Sequence, residues 1–189
     1  MDQVDEDIDI LCLGEMGIGN TTSAAAICYA LYGGSAADWT GPGTGVKGET
    51  MRAKTNLVAE AVKTHNYNDG LDVLKCLGGR ELAAIVGAIV AARMKAVPVM
   101  LDGYVCSAAA SVLEATVPGT LDHCKVGHIS SEPGHRLLLE RINKNPLINF
   151  DMRLGEASGA ALAVSFLKAA VACHNGMTTF AEAGVSNKK

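Results

Sequence analysis

Residues 7 to 22, "DIDILCLGEMGIGNTT", run an apolar stretch of strand length into a glycine-rich turn and on into helix-favouring residues. A strand that ends this way commits the chain to helices packed on a sheet, because parallel strands join only through such crossovers. The glycines fall at 14, 17 and 19. They free backbone N–H groups and bring them, with the positive end of the following helix dipole, toward one point where a phosphate fits. No GK[ST] follows and the spacing departs from GxGxxG, so neither the triphosphate loop nor the dinucleotide fingerprint is present. A phosphate turn and a purely structural strand-to-helix turn both remain open on this pattern.

Glu15 stands inside the turn, where a carboxylate should repel a phosphate. Directly after a strand end, however, an acid can hold ribose hydroxyls while a phosphate sits deeper on the glycines, which would make the ligand a sugar phosphate. The other reading is that Glu15 pairs with a nearby cation or accepts N–H groups of its own turn.

Downstream the chain keeps alternating apolar runs of strand length with longer helical stretches, the pattern of an α/β fold: a parallel, Rossmann-like sheet flanked by helices, with C-terminal helices. Asn20 or Thr21 is placed to cap a helix through about Tyr32, which Gly33-Gly34 ends. "SAADWTGPGTGVKG" carries too much Gly and Pro for regular structure and reads as a loop that moves or closes over something. Residues 49 to 65 read as an amphipathic helix, "NYNDG" as a turn, and "LDVLKCL" (71 to 77) as a second strand. A helix from Gly78-Gly79 to about Lys95 follows. The strand "PVMLDG" then delivers Asp102 at its carboxyl end. A small-residue helix runs to about Thr116, "HCKVGHI" forms a fourth strand ending at Ser130-Ser131, and Pro133 opens a helix through about Asn143. The tail is a loop feeding one long helix rich in Ala, Gly and Ser.

At 189 residues and 49% hydrophobic, the chain suits one domain, residues 1–189. The 16 basic and 20 acidic residues leave a net charge of -4 without a run of Lys or Arg, which argues against nucleic acid. The opening "MDQVDEDIDI" is acidic where an export signal needs positive charge. "LAAIVGAIVAA" (82 to 92) and "GAALAVSFLKAAVACHNG" are too short or too interrupted to span a membrane, and read as buried helices. The six cysteines are scattered without CxxC spacing and read as reduced, mostly core residues. Cys124 with His123 and His128 is the one cluster of metal-ligand types, and it lacks a further ligand at known spacing.

In "DMRLGEASGAAL" (151 to 162), Arg153 and Glu156 meet a loop-to-helix junction beside Gly155 and Gly159. Facing a cleft with apolar walls, Glu156 would have its pKa raised by desolvation and serve as a general base. Acids in the first turn of a helix are also common for the sake of the dipole alone.

"GEMGIGNTT", "GGRELAAIVGAI", "PVMLDG", "HISSEPGH" and "MRLGEASGAALA" together resemble the nicotinate-nucleotide:dimethylbenzimidazole phosphoribosyltransferase family, from about residue 7 to the "MTTFAEAGVS" tail. The resemblance implies transfer of phosphoribose from nicotinate mononucleotide to dimethylbenzimidazole, giving alpha-ribazole phosphate and nicotinate. It implies Glu156 as catalytic base and Glu15 as an active-site carboxylate. Gly17, Ile18, Gly19 and Asn20 match the phosphate loop, Lys54 and Ser130 further phosphate contacts, Arg153 and Leu154 positions lining the site, and Asp102 a strand-end acid at the substrate. It implies no metal and no cofactor, and a cytoplasmic enzyme. Family members are longer, so the resemblance places this chain on their C-terminal half to two-thirds, lacking the N-terminal part that supplies much of the benzimidazole pocket. Small and apolar surface left bare there would favour a homodimer. The alternative is a truncated domain that binds phosphate or nucleotide without independent catalysis.

Overall fold

The computed structural model describes residues 8–186. The acidic opening that argues against export falls, through residue 7, outside them. Four short strands, β1 (Leu11–Leu13), β2 (Val99–Leu101), β3 (Cys124–His128) and β4 (Pro146–Ile148), pair in that order, all in parallel. Successive side chains of a strand point to opposite faces. Leu11, Leu13, Val99, Leu101 and Val126 join the main core on one face, while Cys12 and Met100 turn to a smaller cluster on the other.

The main face carries α1 (Asn20–Tyr32), α3 (Gly48–Thr64), α4 (Gly70–Leu77), α5 (Arg80–Met94), α6 (Tyr104–Thr116) and α7 (Pro133–Arg141). At its centre, α6 is buried from Tyr104 through Leu113, and its Ala and Ser residues let α1, α4, α5 and α7 close on it. Among the described residues the opposite face carries only α8 (Ser158–Gly176). The α/β class and the parallel sheet read from the sequence are both present.

Four readings need correction. Residues 71–77 form α4, a helix rather than a strand: the Asp69 carboxylate accepts the Asp72 N–H at 2.9 Å, and Val73 and Leu77 bury one face at helical spacing. The fourth strand of the sheet comes instead from the tail loop as β4, whose leading proline suits an edge. The glycine-rich loop contains α2 (Ala36–Trp39), closed by a Ser35–Asp38 capping box, with Trp39 buried and its Nε1–H bonded to Gly33 O at 2.8 Å. Finally, α5 buries Leu82, Ile85, Val86 and Ile89 as expected, but α8 buries only Gly159, Ala160 and Ala163. Leu162, Phe166 and Val171 are exposed, since no other described helix packs over α8 on its side of the sheet. Cys173 is exposed with them, whereas Cys28, Cys106 and Cys124 are core residues. Among the described residues, no helix is long and apolar enough to cross a membrane.

Candidate active site

At the carboxyl ends of the strands lies a cleft of about 590 Å³. The turn after β1 forms one wall. Its glycine at position 19 takes a left-handed conformation (φ 84°) as N-cap of α1, so neither Asn20 nor Thr21 caps the helix with a side chain. Instead both hydrogens of the Asn20 amide are spent on carboxylates: one goes to Glu15 Oε2, the other to Glu81 Oε2 at 3.0 Å. Glu81, in the first turn of α5, also takes the Met16 N–H at 2.6 Å. Among the described residues the N–H groups of Gly17, Ile18 and Gly19 have no protein acceptor, and all three residues line the cleft. Asn20 thus enters the site as a clamp on two acids, and a ligand phosphate would meet the turn through backbone donors.

Lys54 reaches this wall from α3. It gives hydrogens to Thr21 Oγ1 at 2.9 Å and Gly41 O at 2.8 Å, which leaves one of its three for a ligand. Burial pushes its pKa down, against the pull of Glu132. Glu132 in turn accepts the Gly43 N–H at 2.8 Å, so the loop after α2 is pinned from two sides. Ser130 follows β3. Its N–H bonds His135 Nδ1 at 2.9 Å, while His135 Nε2 lies 3.0 Å from Ser107 Oγ. Burial, and secondarily His128, push the His135 pKa down to about 3, so the ring stays neutral and accepts at Nδ1.

The facing wall is the junction into α8. Three residues in succession, Gly155 (φ 81°), Glu156 (φ 59°) and Ala157 (φ 59°), are left-handed, a conformation that costs non-glycine residues energy and gathers at functional sites. At Gly155 a Cβ would also run into Glu15 Oε1, so a side chain here would displace the Glu15 carboxylate. The Glu156 N–H donates to Glu15 O at 3.0 Å, which ties the two candidate carboxylates to one backbone bond. Arg153 crosses the mouth to Gly43 O at 3.1 Å. Leu154 is 70% exposed, and with Met16 and Ile18 it makes an apolar rim. Asp102 lies at the floor, beyond the end of β2, and accepts the Ala160 N–H at 2.9 Å.

All eleven candidate residues line this cleft, although they come from positions 15 to 156 of the chain. Desolvation raises the pKa of Glu15; the Asn20 bond opposes it, and Glu81, Asp102 and Glu156 add to it. Glu156 lines the cleft with its side chain exposed, so the desolvation expected of it is not provided by burial. The Cys124 cluster does not assemble either, because Cys124 and His128 sit at opposite ends of β3. Sequence reasoning missed Glu81, Glu132 and His135, and noticed His128 only in the Cys124 cluster. Each stands in a motif noted above, but an acid beside a glycine pair or a proline reads as an ordinary helix start.

Fold and cleft are those of the parallel α/β proteins that take ligands at the carboxyl ends of their strands. A family model described as phosphoribosyltransferase matches residues 1–185. The nicotinate-nucleotide--dimethylbenzimidazole phosphoribosyltransferase of Rhizobium leguminosarum bv. trifolii is 59% identical over 182 residues, covering 95% of this chain and 54% of its own length. The enzyme of that name from Ruegeria sp. is 60% identical over 184 residues, 97% of this chain and 55% of its own. The crystal structure of CobT from Thermus thermophilus superimposes with a TM-score of 0.91 at 42% identity, over 97% of this chain and 55% of that one. The chain therefore belongs to the nicotinate-nucleotide:dimethylbenzimidazole phosphoribosyltransferase family. It spans about half the length of the curated relatives it matches.

Proposed function

We propose that the cleft binds nicotinate mononucleotide and transfers its phosphoribose to dimethylbenzimidazole, giving alpha-ribazole phosphate and nicotinate. The observation that carries this reading is that Glu156 and the free N–H groups of Gly17, Ile18 and Gly19 line one cleft. The glycine turn, the remaining Lys54 hydrogen and the Ser130 hydroxyl hold the 5'-phosphate and so fix the sugar for in-line displacement. The nicotinate ring is a cationic pyridinium while bonded to the sugar and leaves as a neutral pyridine: the bond from C1' to its nitrogen breaks, the electron pair returns to that nitrogen, and no acid is needed. One benzimidazole nitrogen bonds to C1' while Glu156 takes the proton from the other. Glu15 stabilises the positive charge that develops on the sugar. The apolar rim of Met16, Ile18 and Leu154 suits a flat acceptor ring.

In this reading the protein is cytoplasmic and dimeric, with the exposed face of α8 supporting self-association. Incubation with nicotinate mononucleotide and dimethylbenzimidazole should release free nicotinate, and Glu156→Gln should stop it. Turnover retained in that variant would remove Glu156 from the mechanism. Thermal stabilisation by the nucleotide without product would reduce the chain to a binding domain.

A further inference from the structure

Asp102 and His128, where β2 and β3 end side by side, are each 1% exposed and both line the cleft. Asp102 Oδ1 is occupied: it accepts the Ala160 N–H at 2.9 Å and faces His128 Nε2 at 3.4 Å. Asp102 Oδ2 has no hydrogen-bond partner among the described residues. A carboxylate oxygen buried without a donor is costly, so the floor of the cleft is built for a donor the protein does not supply. His128 Nδ1 lies 3.1 Å from Ile129 O. A carbonyl only accepts, so Nδ1 carries a proton and that bond fixes the ring plane. The ring is also wedged against the start of α8, where a Cβ on Gly159 would strike its Cδ2.

We propose that this pair reads a hydroxyl of the pentose. Asp102 Oδ2 accepts the hydroxyl hydrogen; the Ala160 N–H holds Oδ1 and so turns Oδ2 to the cleft, and the His128 ring, fixed by its Nδ1–H on Ile129 O, packs beside that carboxyl. A phosphate dianion has no hydrogen to give and would be repelled here, whereas a sugar hydroxyl is a compact donor. The inference rests on the sugar-phosphate reading of the cleft and names what separates ribose from its deoxy forms.

The test is binding of ribose 5-phosphate and its 2-deoxy and 3-deoxy counterparts to the full chain by calorimetry. One deoxy sugar should bind about tenfold or more weakly than ribose 5-phosphate, as expected for a hydrogen bond to a charged group. In Asp102→Asn, Oδ1 stays on Ala160 and the amide nitrogen faces the cleft as a donor, so the discrimination should vanish. In the wild-type chain, ribose 5-phosphate should shift the imidazole nitrogen resonances of His128, a readout that needs no variant to fold. Equal binding of all three sugars, or unmoved resonances on saturation, overturns the proposal and leaves the phosphate site standing. Failure of every sugar to bind overturns the sugar-phosphate reading as well. Discrimination in a chain that releases no nicotinate supports the pair and removes only the transfer reaction.

Discussion

The two walls of the cleft are built differently. On the wall that carries the glycine turn, nearly every loop is tied by a side chain from elsewhere: Met16 by Glu81, Gly43 by Glu132, Gly41 by Lys54, Ser130 by His135. The facing wall is held through its backbone, by Glu156 N–H on Glu15 O and Ala160 N–H on Asp102, and it keeps two left-handed non-glycine residues. Such residues cost about 1–3 kcal/mol each and persist only where the surroundings impose them. One wall is therefore pre-assembled, as the proposed phosphate site requires. The other is strained and outward-facing, and holds the exposed acid Glu156. In the proposed reaction, binding and chemistry divide between them.

That division breaks first at Glu156. In Glu156→Gln, nicotinate release should fall by about 10²–10⁴-fold, the usual loss for a general base, while calorimetric affinity for nicotinate mononucleotide hardly changes. Lys54→Met should do the reverse, weakening nucleotide binding by about ten- to a hundredfold, as for loss of a charge-assisted bond. If either variant lost binding and rate in equal measure, the walls would not be functionally separate.

The sequence made one wall more legible than the other. The glycine turn and Asp102 follow strands, and a strand-turn-helix pattern places a residue at the carboxyl end of a sheet whatever the remaining topology. The misread α4 shows the limit. "LDVLKCL" suits either period, and the Asp69 cap decided for helix although the apolar run alone favoured strand. β4 was illegible because three residues opening on proline carry almost no pattern. On α8, small residues promised burial, but burial depends on what covers a helix, which composition does not state. The partners Glu81, Glu132 and His135 escaped notice because a tie between distant loops leaves no trace in local spacing.

The pre-assembled wall should loosen in acid at His135. Its folded pKa of about 3 lies below the ordinary 6.5, so below pH 6.5 the unfolded chain takes up a proton that the folded chain refuses. Stability then falls with pH, at up to about 1.4 kcal/mol per pH unit for this group. His135→Gln removes that dependence. Between pH 6.5 and 4.5, urea unfolding of the wild type should therefore lose about 2 kcal/mol more than the variant. Equal losses would mean that the ring protonates freely in the folded chain.

The smallest expected effect lies where the walls meet, at Glu15. Burial raises its pKa, so the folded chain holds the proton more tightly than the unfolded chain does. The stability this contributes is fully present below pH 4.5 and is lost as pH rises through the raised value. At neutral pH the ionised Glu15, crowded by Glu81, Asp102 and Glu156, is a cost to folding. Glu15→Gln keeps an acceptor for Asn20 and removes the charge. Its thermal midpoint should exceed that of the wild type at pH 7.5, the gap should shrink toward pH 4, and transfer should slow at the same time. A stabilised but slower variant would show that the carboxylate is kept for chemistry at the expense of stability. A gap that does not change with pH would show that burial imposes no charge penalty on Glu15, and the junction of the walls would then be a structural seam.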